Sequence, residues 1–127
     1  MPKSHDVGRA GEFIAAARLE KNGWRAVIAD AEGVDLLAMR DNKVVRMQVK
    51  SSASLQRNKY YFHTRRGANR RPLTKSDCDV VCFVAVDLGF CFFSKVEKIK
   101  STTTIFKRSV MTAENERESF FECFAEV

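Results

Sequence analysis

Residues 34–51 read Val34-Asp35-Leu36-Leu37-Ala38-Met39-Arg40-Asp41-Asn42-Lys43-Val44-Val45-Arg46-Met47-Gln48-Val49-Lys50-Ser51. Two runs rich in apolar residues flank Asp41-Asn42, a pair that tolerates positive φ and suits a tight hairpin turn. Strands over 34–40 and 43–51 follow. With a two-residue loop, Arg40 pairs with Lys43, and stepping outward places Asp35 opposite Gln48. Strand side chains alternate, so Gln48 and Lys50 share one face while Val45, Met47 and Val49 take the other. Facing residues lie about 5 Å apart at Cβ. The hairpin therefore gathers a carboxylate, an amide and an ammonium on one sheet face.

Such a trio suits a hard cation next to a phosphate. Mg²⁺ prefers oxygen ligands, keeps several waters and takes one or two carboxylates plus the substrate's own phosphate. Asp35 is an anionic ligand, and Gln48 offers a neutral amide oxygen. Glu12, early in a helical segment, is the candidate second carboxylate. Lys50 is a compact cation able to stabilise charge developing on a scissile phosphate or to orient an attacking water. Each residue taken alone has a plainer role. Glu12 suits a helix dipole, Asp35 could cap a turn after Gly33, and Gln48 and Lys50 could be a solvated strand face. Their combination points to metal-assisted phosphodiester chemistry.

The neighbouring charge agrees. Between Asn42 and Ser76 stand ten Lys/Arg (Lys43, Arg46, Lys50, Arg57, Lys59, Arg65, Arg66, Arg70, Arg71, Lys75) and no Asp or Glu, although the whole chain carries only +6. Clustered cations imply a polyanionic partner and salt-sensitive binding. Arg57, Lys59, Arg65, Arg66, Arg70, Arg71 and Lys75, with Tyr60, Tyr61 and His63 interleaved, are the candidate DNA contacts. Arg9 and Ser51 join them, being close in sequence to Glu12 and Lys50. Lys95, Lys98, Lys100, Lys107 and Arg108 form a second, weaker basic group.

With 127 residues, 45% hydrophobic and ten Phe, the chain is long enough for one domain, 1–127, with a real core. The four cysteines form no Cys-x-x-Cys pair, which argues against structural zinc and for a reduced, cytoplasmic setting. No stretch reads as a signal peptide or as long enough to span a bilayer.

A helix is expected over 8–22, stopped by Gly23, with Phe13, Ala16 and Ala17 as its buried stripe. Strands are expected at 24–29, 59–64 (Tyr61 facing inward), 79–87 and 90–94, with a polar loop over 65–75. A Glu-rich helix over 112–124 should pack Phe120, Phe121 and Phe124. This order gives an α/β fold, a central mixed β-sheet flanked by helices.

The series Gly8-Arg9-x-Gly11-Glu12, helix, Gly23, strand, Gly33-Val34-Asp35-Leu36, hairpin, Gln48-Val49-Lys50-Ser51 resembles the PD-(D/E)XK, or restriction-endonuclease-like, nuclease superfamily. The motifs cover residues 8–52, with a looser match through Asp77-x-Asp79 to about residue 99. The resemblance implies a restriction-endonuclease-like core and DNA phosphodiester hydrolysis dependent on Mg²⁺, with Mn²⁺ as a substitute. In it Asp35 matches the motif Asp, Lys50 the motif Lys and Glu12 the helix acid. Gln48 stands where most members carry Glu or Asp, and Val34 where the motif has Pro. This Gln-x-Lys form is similar to that of bacterial group I intron homing endonucleases; archaeal Holliday junction resolvases are the other close type. A catalytically inactive DNA-binding module with the same fold is the alternative. One site hydrolyses one strand, so cutting both strands implies a homo-oligomer, dimer or tetramer.

Overall fold

The computed structural model describes residues 3–31, 33–66 and 71–127. It opens with helix α1 (Ser4–Lys21), followed by strands β1 (Arg25–Ala31), β2 (Val34–Arg40) and β3 (Lys43–Ser52). Then come β4 (Lys59–His63), β5 (Arg65–Arg66), β6 (Arg71–Pro72), β7 (Val80–Ala85), β8 (Phe90–Lys95), β9 (Thr103–Lys107) and helix α2 (Ala113–Phe124). The main sheet has five strands in the order β1-β2-β3-β7-β8, while β4 pairs with β9 and β5 with β6 in separate two-stranded sheets.

The hairpin has the expected register. Arg40 faces Lys43 and Leu36 faces Met47, and Asp41 takes a positive φ of 55° at the turn. The β3–β7 pairing is parallel, from Met47↔Val80 to Ser52↔Ala85, and the others in the main sheet are antiparallel. The sheet is thus mixed, as expected. Every residue of β7 is buried, as befits an interior strand covered on both faces.

Two cores sandwich this sheet. On one face Ala15 and Leu19 of α1 and Phe120 and Phe124 of α2 meet Leu36, Ala38, Val45, Met47, Cys82 and Phe93. Trp24 closes this layer, edge-on to Phe124 at 5.1 Å. On the other face Tyr60, Phe62, Leu73 and Val96 pack on Val81 and Phe83. Each fully buried large apolar side chain contributes about 1.5–3 kcal/mol. An ion pair between Arg18 and Glu116 (2.9 Å) links the helices, and the second Glu116 oxygen accepts the Cys91 N–H. All four cysteines are buried and free, as small apolar fillers are.

Several expectations need correction. Helix α1 begins at Ser4 rather than residue 8, and its inward line is Gly11, Ala15 and Leu19. Phe13 is 54% exposed and Ala17 is also exposed, because spacing by four residues fixes the buried line. Tyr60 and Phe62, not Tyr61, face the core, as alternation along β4 requires. Phe121 is 69% exposed, since it lies just over a quarter of a turn from Phe120. The expected loop over 65–75 contains the β5–β6 pairing, and β9 and two short 3₁₀ turns were not foreseen. Among the described residues no helix is long and apolar enough to cross a membrane.

Candidate active site

The site begins at Gly33, whose φ of +82° is the left-handed conformation that glycine adopts without strain. The Gly33 carbonyl accepts a hydrogen bond from Gln48 Nε2 at 3.3 Å. This contact fixes the orientation of the amide. Gln48 Oε1 is left buried with no hydrogen-bond partner, although Gln48 is only 8% exposed. A buried orphan acceptor is costly unless something else satisfies it.

Asp35 stands beside it, where β2 enters the sheet. Asp35 Oδ2 accepts the backbone N–H of Val49 at 2.7 Å. Burial pushes the Asp35 carboxyl above its ordinary value, while the Val49 N–H and the charge of Lys50 pull it back. Lys50 is thus near enough to act on Asp35, and it shares with Gln48 the sheet face away from α1. Asp35 and Gln48 are thus both tied to the 33–35/48–49 end of the hairpin, with the Lys50 charge acting on Asp35.

Glu12 follows Gly11 on α1, on the sheet face opposite Gln48 and Lys50. Gly11, its neighbour, crosses β3 so closely that a Cβ there would fall 1.8 Å from Ser51 Oγ and 3.7 Å from Val49 Cγ1. Glu12 itself is half-buried. Glycine allows this crossing without displacing Ser51, a role that only its place inside an alanine-rich helix could have signalled. Ser51 Oγ lies buried under Gly11 without a hydrogen-bond partner, a place in the packing rather than on the DNA-facing surface expected of it.

The donors fit a hard divalent cation: a desolvated carboxylate and an amide oxygen aligned by Gly33 and lacking a partner. Among the described residues no three His, Cys, Asp or Glu side chains form a metal-ligand group. An ion here would therefore lean on the Gln48 amide.

The basic candidates divide. Arg57 and Lys59 are exposed, and Arg57 has a positive φ of 53° in the turn before β4. Arg9 is exposed and lies 5.1 Å from the centroid of the Phe13 ring. Arg71 is committed to Asp77, donating to both carboxylate oxygens at 2.9 and 3.0 Å. Lys75 is exposed, 3.7 Å from Asp79. Asp79 mainly serves Arg46, accepting its backbone N–H at 2.8 Å and its guanidinium at 3.0 and 3.2 Å. Arg65 and Arg66 form β5, and Arg70 lies outside the described residues.

This sandwich, with a carboxylate and a lysine on adjacent strands, has the architecture of restriction-endonuclease-like proteins. The family described as PD-(D/E)XK endonuclease matches residues 2–126, and the chain belongs to it. Among solved structures, that of a bacterial homing endonuclease, I-Ssp6803I, is similar with a TM-score of 0.69 and 20% sequence identity, covering 84% of this chain and 77% of that one. No curated protein matches the chain.

Proposed function

We propose that the protein is a DNA endonuclease dependent on a divalent metal, Mg²⁺ or Mn²⁺. The observation that carries this reading is the pairing of the desolvated Asp35 carboxylate with the partnerless Gln48 Oε1 beside the cationic Lys50. Asp35 and Gln48 would hold the ion, with Glu12 as the further carboxylate from α1. When bound, it would supply Lewis acidity and a water of lowered pKa. The Val49 N–H holds the Asp35 carboxylate in place, and Gly33 keeps the Gln48 oxygen rather than its NH₂ turned to the site. Lys50 neutralises charge that builds on the phosphate during attack. Arg57, Lys59 and Lys75 supply a surface for the DNA backbone.

The Gln48-Val49-Lys50 arrangement and the likeness to a homing endonuclease favour an enzyme that cuts duplex DNA over one that resolves junctions. Cutting both strands calls for two copies, and exposed Phe121 on α2 offers an apolar point for such a contact. The replacement of an acid by Gln48 favours a second reading, a DNA-binding module without catalysis.

Plasmid nicking separates the two readings. Cleavage should require Mg²⁺ or Mn²⁺, and Asp35→Ala and Lys50→Ala should each lower it by about 10²–10³-fold. Binding without cleavage in either metal supports the module; cleavage unaffected by both substitutions overturns the site.

A further inference from the structure

The ribbon of β4 and β9 has two chemically distinct faces. Its inner row is packed: Phe62 and Phe106 lie 5.1 and 5.0 Å from Phe83. The register places Lys59 beside Lys107, Tyr61 beside Ile105 and His63 beside Thr103 on the outer row. Lys59, His63, Ile105 and Lys107 are exposed, Ile105 at 50%. One exposed isoleucine is unremarkable on its own, but this one has an aromatic ring across the ribbon and a lysine pair one step along.

Two lysines facing each other across paired strands repel. Exposed Arg57 and Arg108 extend the positive charge at the same end, where Arg108 N–H donates to the Asn58 carbonyl at 3.4 Å. Asp87 accepts the hydroxyl of Tyr60, which points to the inner side. The outer row is thus a cationic end leading into a short run of Tyr, Ile, His and Thr.

We propose that this outer row enters the major groove of duplex DNA. The groove, about 12 Å wide, admits a two-stranded β-ribbon. Lys59, Lys107, Arg57 and Arg108 then lie on phosphates. Tyr61, Ile105 and His63 face base edges, where thymine methyls suit the apolar pair and His63 supplies a donor or an acceptor. The ribbon packs on the same sheet face that bears Gln48 and Lys50, because Lys50 is in register with Phe83 and Phe83 carries Phe62 and Phe106. A duplex on the outer row is held by an element whose inner row packs on the sheet that carries the candidate site. This inference rests on the nuclease reading for its enzymatic meaning, but its test is binding.

The full chain is titrated in EDTA with a random-sequence duplex pool across a salt series. The double variant Lys59→Ala/Lys107→Ala should reduce the log–log salt slope by about 1.8, two phosphate contacts' worth. Ile105→Glu should weaken binding about tenfold or more, as loss of a groove contact does. Wild-type protein should bind poorly to duplex whose major groove is filled by glucosylated hydroxymethylcytosine, yet tolerate netropsin in the minor groove. The groove-blocking measurement uses wild-type protein, so it decides the matter even if a ribbon variant folds badly. Unchanged slope and affinity in the variants, or displacement by netropsin and not by glucosylation, overturns the ribbon's role. If wild type binds and cuts while the ribbon variants match it, only the ribbon proposal fails. If wild type neither binds nor cuts any duplex, the nuclease reading fails and the ribbon's role falls with it.

Discussion

The carboxylate of Asp35 accepts the backbone N–H of Val49 at 2.7 Å, bridging β2 and β3 where their ladder ends. The bond partly offsets the burial that disfavours the charged form of Asp35. Because burial prevails and the folded value lies above the ordinary 3.8, the native state holds more protons than the unfolded chain between those two values. Stability therefore falls as pH rises through that window and stays reduced at neutral pH. Asp35→Asn keeps an acceptor for the Val49 N–H and removes the charge. It should raise the melting temperature at neutral pH, with the gain vanishing as pH drops below about 3.8. Added Mn²⁺ should stabilise wild type more than this variant, as expected of a ligand bound to the native state. Calorimetry across pH and metal concentration checks both points.

Gln48→Glu provides the opposite perturbation. A second buried carboxylate beside Asp35 has like charge to face and little water to solvate it. The variant should melt lower than wild type in EDTA at neutral pH, and cleavage should saturate at lower metal concentration. A variant that is as stable as wild type in EDTA and needs no less metal would separate Gln48 from the ion.

Two glycines of α1 should respond oppositely to alanine. At Gly8 a Cβ meets nothing within 4 Å, so Gly8→Ala should stabilise by about 0.5–1 kcal/mol through helix propensity. At Gly11 the same atom would sit 1.8 Å from Ser51 Oγ and 2.9 Å from Ser51 Cβ. Gly11→Ala should cost about 1–3 kcal/mol, as overpacking does. Adding Ser51→Gly should recover part of that loss, while Ser51→Ala, which keeps the Cβ, should recover less. Urea unfolding of these variants and of the single Ser51→Gly and Ser51→Ala variants measures the coupling.

The Arg71–Asp77 pair sets an acid limit. The guanidinium of Arg71 leads the effects that hold the Asp77 carboxyl down at about 2, with the Thr74 N–H assisting and burial opposing. A depressed carboxyl stabilises the fold above its unfolded value and loses that contribution as pH falls through about 3.8 toward about 2. Arg71→Ala should move the Asp77 titration upward and bring acid unfolding on at higher pH. Carbon-13 NMR of the Asp77 carboxyl follows the first effect directly.

The hairpin was legible because everything that decides it is local: alternation along each strand and a two-residue turn. The trio of Asp35, Gln48 and Lys50 followed from the same register. The buried line of α1 was harder to read, because Phe13 looks like a core residue and Gly11 does not; only the crossing over β3 reveals which matters. Strand β9 escaped notice since Thr103–Lys107 pairs with Lys59–His63, far back in the chain, and Lys107 reads as part of a separate, weaker basic group until the register sets it beside Lys59. Arg71 likewise reads as a free DNA contact until its partner Asp77 is seen.

Strand β3 is also the meeting point of near and far sequence. One of its edges is completed at once by β2, but the other waits for β7, whose Val80–Ala85 emerges well after Lys50. A nascent chain released at Lys50 would hold Glu12, Asp35, Gln48 and Lys50 and still lack the strand that pairs with the far edge of β3. The strand that carries Gln48 and Lys50 is therefore held from both edges only once the chain has grown past Ala85.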